Sequence, residues 1–265
     1  MTAEEKKESL VQLVMIERVR ALALTDDDLS AVLMYGSFIK GEGDRYSDIE
    51  FYLFHRREID HRLWVERIRP VEIFFKNEFG TEVAIFDNLI RGEFHFAPID
   101  EIEVVKSWEG LTSFEYAEQM ALVDKDGRLA EVLAGLDRRR PRHDQAEQIA
   151  WLAESLLNNL LMVKNTLERG ELAHAHQAFS FIQKYLLWLI RLADRADNHW
   201  ENPSKKLEKE ISGSWYQAYA GCAPALERES LRRSLKASLA LAEKLFTLLK
   251  APEKCLKVLD AITDL

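Results

Sequence analysis

Gly36-Ser37 closes a short apolar run, and after a ten-residue gap the chain reads Asp48-Ile49-Glu50. Side chains alternate across a strand, so Asp48 and Glu50 project to one side while Ile49 and Phe51 project to the other. Two carboxylates held side by side repel, and a cation between them relieves the repulsion. Hard oxygen donors with no nearby sulfur or imidazole suit Mg²⁺ or Mn²⁺ rather than zinc. Gly36 lets the backbone approach a ligand closely, and the Ser37 hydroxyl with the local N–H groups can hold a phosphate. Metal-bound carboxylates beside a phosphate cradle indicate phosphoryl or nucleotidyl transfer. Asp-x-Glu alone is usually the solvated face of an amphipathic strand, and Gly-Ser alone is usually a turn. Their order, spacing and strand context together give the chemical reading its weight.

These residues need strands to hold them, and the sequence supplies strand patterns around them. Ala31-Val32-Leu33-Met34-Tyr35 reads as a strand, followed by a polar loop and a second strand over 47–54. Further strands are expected at 71–75, 82–86 and 91–96, with Asp87-Asn88 as a turn. An amphipathic helix over 4–22, with Leu10, Leu13, Val14, Val19 and Leu22 near helical spacing, precedes them. The run Arg138-Arg139-Arg140-Pro141-Arg142 reads as a solvated linker. Beyond it the pattern is helical. Asp144 and Glu147 form a capping-box-like start to a helix with Leu152, Leu156, Leu160 and Val163 along one side. A second helix is expected over 171–196, a third from Asn202-Pro203, and two more over 227–249 and 253–263. The expected fold is α+β: a catalytic mixed sheet with flanking helices over 1–138 and an all-α bundle over 139–265.

The 265 residues carry a formal net charge of -9 and are 47% hydrophobic and 31% charged. Such a chain can bury a real core, and a general nucleic-acid binder, which needs clustered Lys and Arg, is not expected. Cys222 and Cys255 have no metal-type spacing and read as buried free thiols. The start Met-Thr-Ala-Glu-Glu-Lys-Lys-Glu lacks the basic-then-apolar pattern of a signal peptide, and no apolar stretch is long enough to span a membrane. The expectation is a cytoplasmic protein with neither nucleic acid nor membrane as partner.

The same residues carry a family resemblance. Gly-Ser, a short polar loop and Ser-Asp-Ile-Glu resemble the signature of nucleotidyltransferases related to DNA polymerase β. Residues 34–38, 40–44 and 46–51 resemble lincosamide nucleotidyltransferases more narrowly, as does the block 86–96, and 204–211 more loosely. The resemblance implies Mg²⁺-dependent transfer of AMP from ATP to a hydroxyl of a lincosamide antibiotic, with two ions. It implies Asp48, Glu50 and a third acid, Glu93, as metal ligands, and Glu93 as the general base. Gly36, Ser37 and Ser47 would hold the nucleotide, and a homodimer is expected. Glu50 stands where an aspartate is common elsewhere in the superfamily, which oxygen ligation tolerates. Two rival readings are an aminoglycoside nucleotidyltransferase and a non-catalytic nucleotide-binding or regulatory module.

Other polar groups have double readings. Arg91, Glu93 and His95 share one strand face, and His95 either contacts substrate, supports Glu93 or is structural. His174 and His176 lie two apart on a helix and point in different directions, which disfavours a shared metal. Lys205, Lys206 and Lys209 either reach a triphosphate or form a solvated face.

Overall fold

The computed structural model describes residues 10–109, 114–139 and 141–264. Residues 4–9 of the expected first helix and Arg140 of the linker lie outside them. The chain divides into two compact units, Met1–Pro141 and Arg142–Leu265. The first is α+β and the second helical.

The first unit opens with helix α1 (Val11–Thr25) and strands β1 (Leu29–Met34) and β2 (Ile49–His55). Helix α2 (His61–Glu66) and strands β3 (Val71–Lys76), β4 (Glu82–Phe86) and β5 (Arg91–Pro98) come next. A 3-10 helix (Ile99–Trp108), α3 (Ala117–Met120), β6 (Ala121–Asp124) and α4 (Arg128–Ala134) complete it. The six strands form one sheet in the order β3-β4-β5-β2-β1-β6. Strands β2 and β5 run parallel, and the other neighbours are antiparallel.

The alternation seen in the sequence sorts the faces. Ile49, Phe51, Leu53 and Phe94 enter a core with Met15, Ile16, Val19 and Leu22 of α1 and with Trp64 of α2. The opposite face buries Ala31 and Leu33 under Ile102, Val105, Leu129 and Val132. Each large apolar side chain so buried contributes about 2 kcal/mol. The α1 stripe is rotated from the expected one. Met15, Ile16 and Ala23 are buried with Val19 and Leu22, while Val14 is 66% exposed, because the sheet rather than the helix decides which side faces inward.

Helix α2 is anchored at its start, which fixes His61. The Asp60 carboxylate accepts the Leu63 N–H at 2.9 Å as N-cap, and Trp64 Nε1 donates to Asp26 Oδ2 at 3.1 Å.

The second unit comprises α5 (Ala146–Glu168), α6 (Leu172–Asp194), α7 (Leu207–Glu210), α8 (Gly213–Ala220), α9 (Arg228–Leu249) and α10 (Glu253–Asp264). Leu152, Leu156, Leu160 and Val163 all lie in its core, as their spacing requires. Cys222 and Cys255 are buried free thiols. Two expected helix starts are corrected. Asp144 does not cap α5: its carboxylate pairs with Arg142 at 3.0 Å, and Gln145 takes the cap position without a side-chain bond. Asn202-Pro203 does not open a helix either. Asn202 Oδ1 accepts the Ser204 hydroxyl at 2.9 Å, and α7 begins only at Leu207, after Lys206 at φ 52°.

The second unit's 196–210 segment is held by a buried clamp. Arg191, fully buried, donates to the backbone oxygens of Pro203 (2.7 Å), Ala196 (2.6 Å) and Lys205 (2.6 Å) and to Glu210 Oε2 (2.8 Å). His199 Nδ1 lies 2.7 Å from Glu210 Oε1.

Candidate active site

The ends of β1, β2 and β5 bring the sequence-predicted residues to one edge of the sheet. Gly36 lies just after β1 at φ 81°, a conformation that favours glycine. Space demands glycine as well: a Cβ there would fall 1.5 Å from Glu50 Oε2. The Glu50 carboxylate therefore lies directly against the Gly36 backbone. The Glu50 carbonyl accepts the Tyr35 N–H at 3.1 Å, which ties the Gly-Ser turn to β2. Ser37 sits in that turn, its carbonyl accepting the Glu42 N–H at 2.9 Å.

Asp48 lies one residue before β2. The loop delivering it is closed by Asp44 and Ser47: Ser47 Oγ accepts the Asp44 N–H at 2.9 Å and donates to Asp44 Oδ1 at 3.1 Å. Gln12 of α1 donates to the Ser47 carbonyl at 3.2 Å. The Ser47 hydroxyl thus shapes the loop that presents Asp48.

The parallel register places Glu50 directly beside Glu93, and Tyr52 beside His95. Arg91, two residues before Glu93, shares its face and reaches both acids. One guanidinium nitrogen bonds Asp48 Oδ2 and the other bonds Glu93 Oε1. Burial opposes the charged form of Arg91, yet Asp48 and Glu93 together raise its pKa. The carboxylates of Asp48, Glu50 and Glu93 gather at one edge without converging within 4.8 Å as a ligand set. Instead a cationic side chain bridges two of them, and the third rests on Gly36. Arg91 neutralises two of these carboxylates, whose oxygens are the hard donors that a divalent ion such as Mg²⁺ takes in its place.

An aromatic wall flanks the acids. His95 stacks on Tyr52 with centroids 4.9 Å apart and lies 6.2 Å from Tyr35, which meets Trp108 edge-on at 5.5 Å. Burial lowers the His95 pKa although Glu93 opposes it, so the neutral imidazole is favoured. Burial and the charges of Glu50 and Glu93 raise the Tyr35 pKa, so its phenol stays protonated.

Sequence reasoning put Arg91 on the same face as Glu93 but gave it no role. Its reach to Asp48 depends on the β2–β5 pairing, which no local pattern announces. In the sequence, Tyr35 reads only as the end of a strand.

The other polar groups lie apart from this edge or in the second unit. His174 pairs with Glu171 at 3.2 Å. Arg138, Arg139 and Arg142 pair with Glu118, Asp137 and Asp144. Lys205 and Lys206 precede α7, and Lys209 lies within it. A cavity of about 320 Å³ in the helical unit is lined by Gln183, Lys184, Glu201, Asn202 and Tyr219 among others. No described helix is long and apolar enough to cross a membrane.

Residues 145–263 match the family model described as the lincosamide nucleotidyltransferase-like C-terminal domain. Two solved structures are similar to this chain. An aminoglycoside 6-adenyltransferase from Bacillus subtilis is 14% identical with a TM-score of 0.41, over 94% of this chain and 97% of that one. A nucleotidyltransferase-like protein from Exiguobacterium sibiricum 255-15 is 13% identical with a TM-score of 0.41, over 91% of this chain and 78% of that one. No curated protein matches. The match to the lincosamide nucleotidyltransferase-like C-terminal domain lies wholly within the helical unit.

Proposed function

We propose that the protein transfers AMP from ATP to a hydroxyl of a lincosamide antibiotic and so inactivates it. The observation that carries the reading is the joint presence of two features: the family's C-terminal domain, and one sheet edge where Gly36, Asp48, Glu50 and Glu93 gather.

Asp48, Glu50 and Glu93 offer the oxygen donors for divalent cations. Divalent ions held there, Mg²⁺ being the expected ones, would supply charge neutralisation for the reacting phosphates. Gly36 and Ser37 seat the phosphates, with Ser47 holding the neighbouring loop in place. Glu93 takes the proton from the acceptor hydroxyl. The acceptor oxygen bonds the α-phosphorus as the bond from that phosphorus to the bridging oxygen of pyrophosphate breaks. Pyrophosphate carries away the electron pair. Asp48 and Arg91 shape the charge around this edge, and positioning supplies much of the rate. Tyr35, Tyr52 and His95 give the acceptor an aromatic wall with a neutral imidazole. ATP as donor, a cytoplasmic setting and a homodimer complete the proposal.

The test is pyrophosphate release from ATP and Mg²⁺ with and without lincomycin, and then product mass. Lincomycin-dependent release and a product heavier by one AMP moiety support the proposal. Release with an aminoglycoside alone replaces the acceptor. Nucleotide binding without release from either acceptor favours the regulatory module.

A further inference from the structure

A second set of ligating side chains lies at the far end of β2 from Asp48. His55 ends β2, Glu58 lies in the next loop, and His61 opens α2. One potential ligand atom from each lies within 4.8 Å of the other two. His55 lies seven positions along the strand from Asp48, roughly 23 Å along the chain direction. This set therefore shares no residue with the nucleotide edge and does not depend on the reading of that edge.

Its surroundings resemble those of a metal-binding imidazole. His61 Nδ1 lies 2.9 Å from both oxygens of Glu82 on β4, within hydrogen-bond distance of Oε1. Glu82 Oε2 is buried and accepts no hydrogen bond of its own. A carboxylate that takes the Nδ1–H leaves the Nε2 lone pair for a cation and fixes the ring's orientation. Phe96 locks the same ring from its face, stacked at 4.0 Å and 9°. His55 is 4% exposed, and its ring lies 6.4 Å from that of His61. The adjacent arginines are engaged elsewhere, Arg56 with Asp126 at 3.4 Å and Arg57 with Asp28 at 3.7 Å. They leave Glu58, which is exposed, to supply negative charge.

We propose that His55, Glu58 and His61 bind a zinc-class divalent transition-metal ion, with Glu82 orienting His61. Two imidazoles and one carboxylate are borderline donors that take Zn²⁺ in preference to Mg²⁺. Three protein ligands leave a fourth tetrahedral position for water. Zinc ligands sit at about 2.0–2.2 Å from the ion, so ligand atoms up to 4.8 Å apart would draw together on binding. The ion ties the end of β2 to the start of α2.

The experiment uses the full chain, stripped with a chelator, then titrated with Zn²⁺ by calorimetry in millimolar Mg²⁺. Retained metal after gel filtration is measured in parallel. The expected result is one zinc per chain. Affinity should fall roughly 10–100-fold in Glu82→Gln, as for other outer-shell carboxylates. It should fall at least as far in Glu58→Ala and His61→Gln, and stay unchanged in Asp48→Asn. His55 is buried, so the exposed Glu58 position decides the matter if a His55 variant does not fold. Absence of stoichiometric zinc, or zinc binding that ignores Glu58→Ala and His61→Gln, overturns the assignment. Loss of zinc in Asp48→Asn overturns it too, by moving the ion to the nucleotide edge.

Discussion

Replacing Glu210 by alanine removes the only carboxylate bonded to the fully buried guanidinium of Arg191 among the described contacts. Three backbone oxygens, those of Ala196, Pro203 and Lys205, would still accept its hydrogen bonds. None of them carries a full charge. Breaking a buried ion pair from one side costs about 3–5 kcal/mol. Glu210 is 18% exposed, so water can reach the vacated place, and the lower end, about 3 kcal/mol, is expected. Glu210→Gln keeps a hydrogen-bond acceptor without the charge and should cost about 2 kcal/mol. For a unit of this size, 3 kcal/mol lowers the unfolding midpoint by about 10 °C. Urea unfolding monitored by far-UV circular dichroism measures the free energy, and calorimetry the midpoint. The pH dependence gives a second reading. Burial raises the Glu210 pKa, but hydrogen bonds from Arg191 and His199 hold it below the usual carboxylate range. The unfolded state therefore takes up its proton first. The stabilisation is complete above the ordinary carboxylate pKa and is lost as pH falls through the depressed one. Glu210→Gln should flatten that acid limb. A cost below about 1 kcal/mol for Glu210→Ala would refute the reasoning, because it would mean the pair gains no more than a surface one.

Asp48→Asn should abolish adenylyl transfer while leaving far-UV circular dichroism and the unfolding midpoint near wild type; a folded variant with near wild-type turnover would remove Asp48 from the metal set. Gly36→Ala sets a Cβ 1.5 Å from Glu50 Oε2 at φ 81° and should displace that carboxylate. A fall in kcat of tenfold or more is expected, with about 1–2 kcal/mol of stability lost to the left-handed backbone, and unchanged kcat would detach Glu50 from the mechanism. Arg91→Gln removes a guanidinium that bridges Asp48 and Glu93 at 39% side-chain exposure. Freed of about 1 kcal/mol of exposed ion pairing, the site should bind Mn²⁺ about fivefold more tightly by paramagnetic titration. Weaker binding would show that Arg91 assists the cation rather than competing with it.

Periodicity carried most of what the sequence alone determined. Period-two alternation put Asp48 and Glu50 on one side and Ile49 and Phe51 on the other, and the core obeys it. The same rule placed Arg91, Glu93 and His95 on one face. Long apolar stripes such as Leu152, Leu156, Leu160 and Val163 settled the helices, because a stripe that wide has few other places to be buried. Short elements escaped: Ala121–Asp124 is too brief to show a period and becomes a strand only by pairing with β1. Local cap signals also yielded to stronger partners. Arg142 claimed Asp144, and Ser204 claimed the oxygen of Asn202 while Arg191 drew in the carbonyls of Pro203 and Lys205. Only the tertiary structure could set Glu50 beside Glu93, bring Arg91 to Asp48, or place Glu82 behind His61. Each of these meetings depends on which strands are neighbours and in what register, and strand pairing is a long-range choice made by the whole sheet.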